Sequence, residues 1–153
     1  MNDWKEVLRE TKAKGNEIEL KIGSIFKMPM NESHKITTKN GQKDRDKLFI
    51  VIGFTEDSNI VGIVIINSNI NEHDFTPELY IGHYELRECH YKGILIKNSF
   101  ACCNDIKELK KKEVIERALH QGCLIDEDCD LIISHLKESK IITPKIKKKY
   151  GLI

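Results

Sequence analysis

Residues 41–54, GQKDRDKLFIVIGF, place five consecutive charged side chains directly before an almost wholly apolar run. Three of the five are the cations Lys43, Arg45 and Lys47. Metal-free cleavage of RNA needs a base for the ribose hydroxyl, an acid for the leaving oxygen, and cationic or N–H donors for phosphate charge. The three cations could supply that charge, although the two carboxylates between them would offset much of it. A solvated loop of mixed charge has the same composition, and both interpretations stay open.

Two His-Tyr pairs follow seven residues apart in GHYELRECHY. A histidine with a pKa near neutrality could act as acid or base, and His83 is the candidate for that role. Tyr84 and His90 could provide a platform on which RNA bases stack. Ordinary alternation along an edge strand explains the same residues without any ligand.

The cysteines indicate reduced thiols and no metal. Their number is odd and none belongs to a C-x-x-C pair, which argues against a disulfide framework. A zinc site from Cys89, His90, Cys102 and Cys103 is the alternative, but neighbours on a strand point to opposite faces and can hardly both bind one ion. We therefore expect neither metal nor cofactor. The five are Cys89, Cys102, Cys103, Cys123 and Cys129.

Length and charge limit the class of protein. A chain of 153 residues with a net charge of +1 predicts one core and no global field that would attract nucleic acid or membrane. The longest apolar run, residues 48–54, is too short to span a bilayer, and the N-terminus is too charged for a secretory signal. We expect a soluble cytoplasmic protein that does not bind membranes.

The apolar segments between residues 17 and 100 predict antiparallel strands. Residues 17–28 alternate and bend near Gly23, and residues 48–54 and 60–67 form a central hairpin after an exposed loop. Two further strands are expected at 78–86 and 92–100. Five short neighbouring strands without long crossovers predict an α+β protein built on a small bent antiparallel barrel. The expected core includes Leu48, Ile50, Ile52, Ile63, Ile65 and Ile94.

Helical patterns flank these strands. Trp4, Val7, Leu8 and Thr11 predict an amphipathic helix that lies on the sheet and ends near Gly15. Three further helices are expected at 104–122, 126–139 and 143–151, the last with Thr143 as cap and Pro144 at its first position. The predicted organisation is a barrel domain with an N-terminal helix, 1–103, and a helical extension packed on it, 104–153.

The order of segments resembles the MazF/PemK-like toxin family. The strand KIGSIFKM, a Gly-containing loop ending in basic residues, the strand LFIVIGF, a turn, and a second apolar strand ending in NSNIN carry the resemblance over about residues 20–71. It implies an SH3-like barrel and, as in many members, metal-independent cleavage of single-stranded RNA. It also implies a place in a toxin–antitoxin or phage-defence module, with an antitoxin or another protein as partner.

The resemblance also implies site residues. The family's catalytic arginine close to the strand matches Arg45, with Lys47 as second candidate, and Ser68 takes the place of the family's hydroxyl after the following strand. Asp46 follows Arg45 where the family usually has proline, and Ser68 lies among asparagines instead of in a Thr-Ser pair. Those departures weaken the catalytic expectation more than the fold.

A second basic segment lies at the C-terminal end. Residues 140–149 hold five lysines and no acid, so Lys145 and Lys148 could contact a phosphate backbone, although lysines at a helix C-terminus also complement the helix dipole. Three function classes stay open: a ribonuclease toxin, a non-catalytic barrel that binds nucleic acid or protein, and an interaction protein that docks through its helical tail.

Overall fold

A computed structural model describes residues 3–36, 43–68 and 82–153. The described residues form seven strands and four helices of more than one turn, with short 3-10 turns at Glu32–His34 and Glu88–His90. The helices are α1 (Trp4–Glu19), α2 (Lys111–Arg117), α3 (Asp126–Glu138) and α4 (Pro144–Lys149). The strands are β1 (Ser24–Met30), β2 (Arg45–Phe54), β3 (Ile60–Asn67), β4 (His83–Leu86), β5 (Ser99–Cys102), β6 (Lys107–Lys110) and β7 (Leu119–Cys123).

All seven strands form one antiparallel sheet. Six follow the order β4-β5-β3-β2-β1-β7, and β6 lies off this path, paired with β3. The edge of β3 that faces away from β2 is divided between two strands. β6 pairs with Ile60–Ile63, and β5 pairs with Ile66 and Asn67. Two strands on one edge must diverge, and this bends the sheet. The α+β architecture with a small bent antiparallel sheet, an N-terminal helix and C-terminal helices is therefore confirmed.

The central strands are apolar throughout because both faces of the sheet are covered. Ile50 and Ile52 belong to one core cluster, together with buried residues of α3 such as Ile132. Phe49 and Val51, which alternate with them, belong to the other cluster, which α2 closes through Val114. We call these the Ile50 face and the Phe49 face. Of the six expected core residues, four are buried, and Leu48 and Ile94 are half-buried.

The N-terminal helix differs from its prediction. α1 continues past Gly15 to Glu19, so the first strand begins only at Ser24. The apolar stripe that was expected to lie on the sheet is exposed, with Trp4 68% accessible. α1 is instead anchored by its one buried residue, Asn16, whose amide donates to the carbonyls of Ile115 and Ala118 at 2.9 and 2.7 Å. A polar anchor at the C-terminal end of the helix gives no apolar signal in the sequence.

Two other predicted elements are wrong in part. The expected strand at 92–100 begins only at Ser99, and the preceding residues turn, leaving Ile96 95% exposed. The expected helix at 104–122 exists only as α2, between strands β6 and β7. Leu109 has helical spacing from its apolar neighbours, but it lies opposite Val61 in the sheet. Residues three apart share one side of a helix but lie on opposite sides of an extended chain, and Ile106 and Leu109 belong to opposite core clusters. Pairing with β3 makes this segment a strand.

The last two helices agree with their predictions. α3 buries Ile132 and Leu136, and α4 begins at Pro144 with the Thr143 hydroxyl accepting a hydrogen bond from the Ile146 N–H at 3.3 Å. Strands from before and after the predicted boundary between residues 103 and 104 belong to the same sheet. The division into two domains at this boundary stays a prediction. Among the described residues, no helix has the length and apolar character needed to cross a bilayer.

Candidate nucleic-acid interface

Lys47 is a buried lysine at the start of the central hairpin. β2 begins at Arg45, three residues before the apolar run, so Arg45 and Lys47 are strand residues. Their side chains point to one side of the strand, and that of Asp46 points to the other. Lys47 lies opposite Met28 of β1 and shares the Phe49 face. It is 8% exposed, and its Nζ donates a hydrogen bond to Asn67 Oδ1 at 2.7 Å.

The ammonium group of Lys47 is destabilised by its surroundings. Burial, together with the smaller effects of the positive charges of Arg45 and Lys107, lowers the pKa of Lys47 from 10.5 to about 8. Desolvation and like charge both disfavour the protonated form. At pH 7 about a tenth of the molecules would hold Lys47 as a neutral amine. A lysine in this state can exchange a proton near neutral pH.

Lys107 is the third cation of this group and was not among the predicted site residues. It lies in β6, donates to the Lys35 carbonyl at 3.2 Å and pairs with Asp105 at 2.9 Å. The side chain of Asp105 is 54% exposed, so solvent screens that pair. We call Arg45, Lys47 and Lys107 the basic cluster.

The carboxylates of the charged loop do not neutralise Lys47. Asp44 accepts a hydrogen bond from Asn31 Nδ2 at 2.9 Å, which ties the start of β2 to the end of β1. Asp46 is exposed, on the opposite side of the strand from its neighbours Arg45 and Lys47. Positive and negative side chains are adjacent in the sequence, but alternation along β2 places them on opposite sides of the strand. The cations Arg45 and Lys47 therefore remain together on one side.

The other two predicted catalytic residues, Ser68 and His83, have no contact with Lys47 in the described hydrogen bonds. Ser68 is exposed directly after Asn67, the residue that binds Lys47. His83 pairs with Cys102, whose neighbour Ala101 pairs with Ile66 of the Ile50 face. His83 therefore falls on the Phe49 face, with β5 and β3 between it and β2.

Tyr84 and His90 have different surroundings. Tyr84 lies on the Ile50 face, where its hydroxyl donates to Asp128 Oδ1 at 2.7 Å and its ring packs at 5.6 Å from the ring of His135. Tyr91 donates to the other oxygen of the same buried carboxylate. These contacts give Tyr84 a structural partner in α3, whereas His90 is exposed in a 3-10 turn. Lys43 is exposed just before β2.

Lys145 and Lys148 form no common surface with the basic cluster. They are exposed on α4, and Tyr150 at the end of that helix packs on Gly53 and Gly62. Gly53 is eight residues from Arg45 along β2, which is roughly 27 Å at the rise of a strand. A single phosphate cannot contact both places.

Sequence reasoning identified Arg45 and Lys47 from their place before the apolar run, but it missed Asn67 and Lys107. Those two residues reach the cluster only through the pairing of β3 with β2 and β6. The chain matches no protein-family model and no curated protein.

Proposed function

We propose that the chain binds single-stranded RNA at the basic cluster and cleaves it without a metal ion, as expected for a MazF/PemK-like ribonuclease of a toxin–antitoxin or phage-defence module. The observation that supports this best is the lowered pKa of Lys47 beside two other cations. Three positive charges held together near a buried strand match the need for phosphate charge stabilisation.

Each residue of the basic cluster has a role in the proposed reaction. Arg45 and Lys107 hold the phosphate oxygens, and the neutral fraction of Lys47 takes the proton of the ribose 2′-hydroxyl. The 2′-oxygen then attacks phosphorus, the bond to the 5′-oxygen breaks, and the leaving oxygen takes a proton from solvent. His83 lies three strand spacings from β2, roughly 14 Å, and is too far away to be the acid at the same phosphorus. Ser68 supports the phosphate by a hydrogen bond. Lys47 works best as a base near its own pKa of about 8.

The test is cleavage of a fluorescent single-stranded RNA in the presence of EDTA. Arg45→Ala removes a transition-state charge contact and is expected to lower the rate about a hundredfold or more. Lys47→Met is expected to abolish the rise in rate between pH 6 and 8. Lys92→Ala serves as the matched control, because Lys92 is an exposed lysine outside the cluster and its loss should leave the rate unchanged.

Two outcomes separate the alternatives. RNA binding that depends on Arg45 without any cleavage would reject the ribonuclease and favour the non-catalytic nucleic-acid-binding module. Failure to bind, to cleave and to slow the growth of a bacterial host on expression would reject both, and would favour an interaction protein. An antitoxin partner would be identified by its release of that growth defect.

A further inference from the structure

A second group of chemically active side chains lies at the β7 edge of the sheet, where α1 meets β7. One donor atom from each of Glu19, His120 and Cys123 lies within 4.8 Å of the other two. None of these residues belongs to the basic cluster. We propose that this group, which we call the Glu-His-Cys site, binds one Zn²⁺ ion.

A β-bulge places the histidine and the cysteine on the same face. Residues three apart on a regular strand point to opposite sides. Here Phe26 pairs with His120, but the preceding residue, Ile25, pairs with Gly122, so Gln121 is the extra residue. His120 therefore shares the face of Phe26, and Cys123 shares the face of Ser24, which is the same face.

Glu19 is brought to that face by the end of α1. The Ser24 hydroxyl donates to the Glu19 carbonyl at 2.5 Å, and its oxygen lies 3.9 Å from Cys123 Sγ. The last residue of the helix and the last residue of β7 are thereby held against the same serine. The three ligands come from the two elements that Asn16 already ties together through α2.

The imidazole of His120 has an unused nitrogen. Its Nε2 is shielded from solvent and has no hydrogen-bond partner among the residues that the structure describes, although Glu19 Oε2 lies 3.7 Å away. That distance exceeds a hydrogen bond. The ring is held at 5.1 Å from the ring of Phe26, in an edge-to-face arrangement. A buried polar nitrogen normally has a partner, so this nitrogen is available to a ligand.

The chemistry of the donors selects zinc. One nitrogen, one oxygen and one sulfur form a mixed set that suits a borderline-soft ion, whereas Mg²⁺ and Ca²⁺ prefer oxygen alone. Around tetrahedral zinc, with bonds of about 2.0–2.3 Å, ligand atoms lie roughly 3.3–3.6 Å apart, so the side chains need only small movements. A thiolate and a carboxylate would balance the charge of the ion.

Isothermal titration of untagged, EDTA-treated protein with ZnCl₂ tests this proposal. Wild-type protein is expected to bind one equivalent and to unfold at a higher temperature when zinc is present, because the ion binds only the folded arrangement. Cys123→Ser is expected to weaken binding about a hundredfold or more, since even loss of a residue that supports a ligand costs about 10–100-fold. Because Cys123 is exposed, the variant should fold.

Cys89→Ser is the matched control, since Cys89 is also an exposed thiol but lies outside the site. Cobalt replacing zinc should give the absorption of a tetrahedral thiolate complex in wild type and Cys89→Ser, and lose it in Cys123→Ser. The proposal is overturned if wild type binds no zinc, or if Cys123→Ser binds it as tightly as Cys89→Ser does. Neither result bears on RNA cleavage, which is assayed in EDTA.

Discussion

A buried or partly buried lysine charge has opposite effects on stability at the two ends of the central hairpin. At one end, which we call the Tyr150 end, Lys149 Nζ lies 2.6 Å from Glu108 Oε2, and the Tyr150 hydroxyl donates to the same oxygen at 2.5 Å. Burial alone would raise the pKa of Glu108, but these two hydrogen bonds lower it below its ordinary value. At the other end, Lys47 has a neutral amide and two cations as neighbours. The charge of Lys149 is paired with a carboxylate and supports the fold, whereas the charge of Lys47 opposes it.

Truncation at the Tyr150 end should have the largest effect on stability. Tyr150→Ala removes a buried ring that is 6% exposed and should lower the free energy of unfolding by about 3–5 kcal/mol. Urea unfolding measures this change. Tyr150→Phe is the control, because it keeps the ring, loses only the hydrogen bond to Glu108 and should cost about 1 kcal/mol. Equal effects of the two variants would show that the hydroxyl, and not packing, holds this end.

Adding volume at the same end should cost somewhat less. A Cβ at Gly62 would lie 2.9 Å from two carbons of the Tyr150 ring, so Gly62→Ala should lower stability by about 1–3 kcal/mol. Gly15→Ala is a suitable comparison. Gly15 lies inside α1 with no atom near the added Cβ, and alanine there should stabilise by up to about 1 kcal/mol. A neutral Gly62→Ala in urea unfolding would mean that α4 moves aside freely.

Lys47→Met should have the smallest effect on stability, and this effect depends on pH. The folded pKa of Lys47, about 8, lies below the ordinary 10.5, so the charged form destabilises the folded state at pH below 8. Between about pH 8 and 10.5 the unfolded chain holds a proton that the folded chain has lost, and wild-type stability rises relative to the variant. At pH 7 Lys47 is charged and destabilises the folded wild type, so we expect the variant to be more stable. Solvent screens part of that charge, and we therefore expect a difference of about 1–2 kcal/mol.

The difference between the two proteins is the quantity to measure, by urea unfolding at pH 7 and pH 10. Burial raises the pKa of the Cys102 thiol, and it raises that of Cys103 to about 12. Thiols that ionise more readily in the unfolded chain lower stability as pH rises, and they do so equally in both proteins. A stability difference that does not change with pH would contradict the assignment of Lys47 as a destabilised cation.

The sequence predicts best where burial is complete. The runs LFIVIGF and IVGIVIIN predict the hairpin because only a strand covered on both faces requires so many β-branched residues in seven or eight positions. It predicts poorly where a tertiary partner decides between local structures. The segment around Leu109 satisfies helical spacing, and only its pairing with Val61 makes it a strand.

The candidate sites divide in the same way. Arg45 and Lys47 are evident from their position before the hairpin, but Lys107 reaches them through strand pairing. His120 and Cys123 are three residues apart, a spacing that excludes a common face on a regular strand. The extra residue in β7 reverses that conclusion. Gly122, which has a positive φ, lies beside it and is the residue type that favours a bulge, but the signal has meaning only once the segment is known to be a strand.

Because the edge of β3 is divided between β6 and β5, each of these two strands could separate from β3 on its own. β6 covers the first half of β3 and β5 the second, so the amides of either strand can exchange with solvent while the other remains paired. Loss of β6 would release Lys107 from the basic cluster and leave Asn67 paired with Phe100. Hydrogen exchange in the native state would then follow two local openings along one strand, each with its own free energy. The number of positive charges around Lys47 would follow the opening of β6 alone.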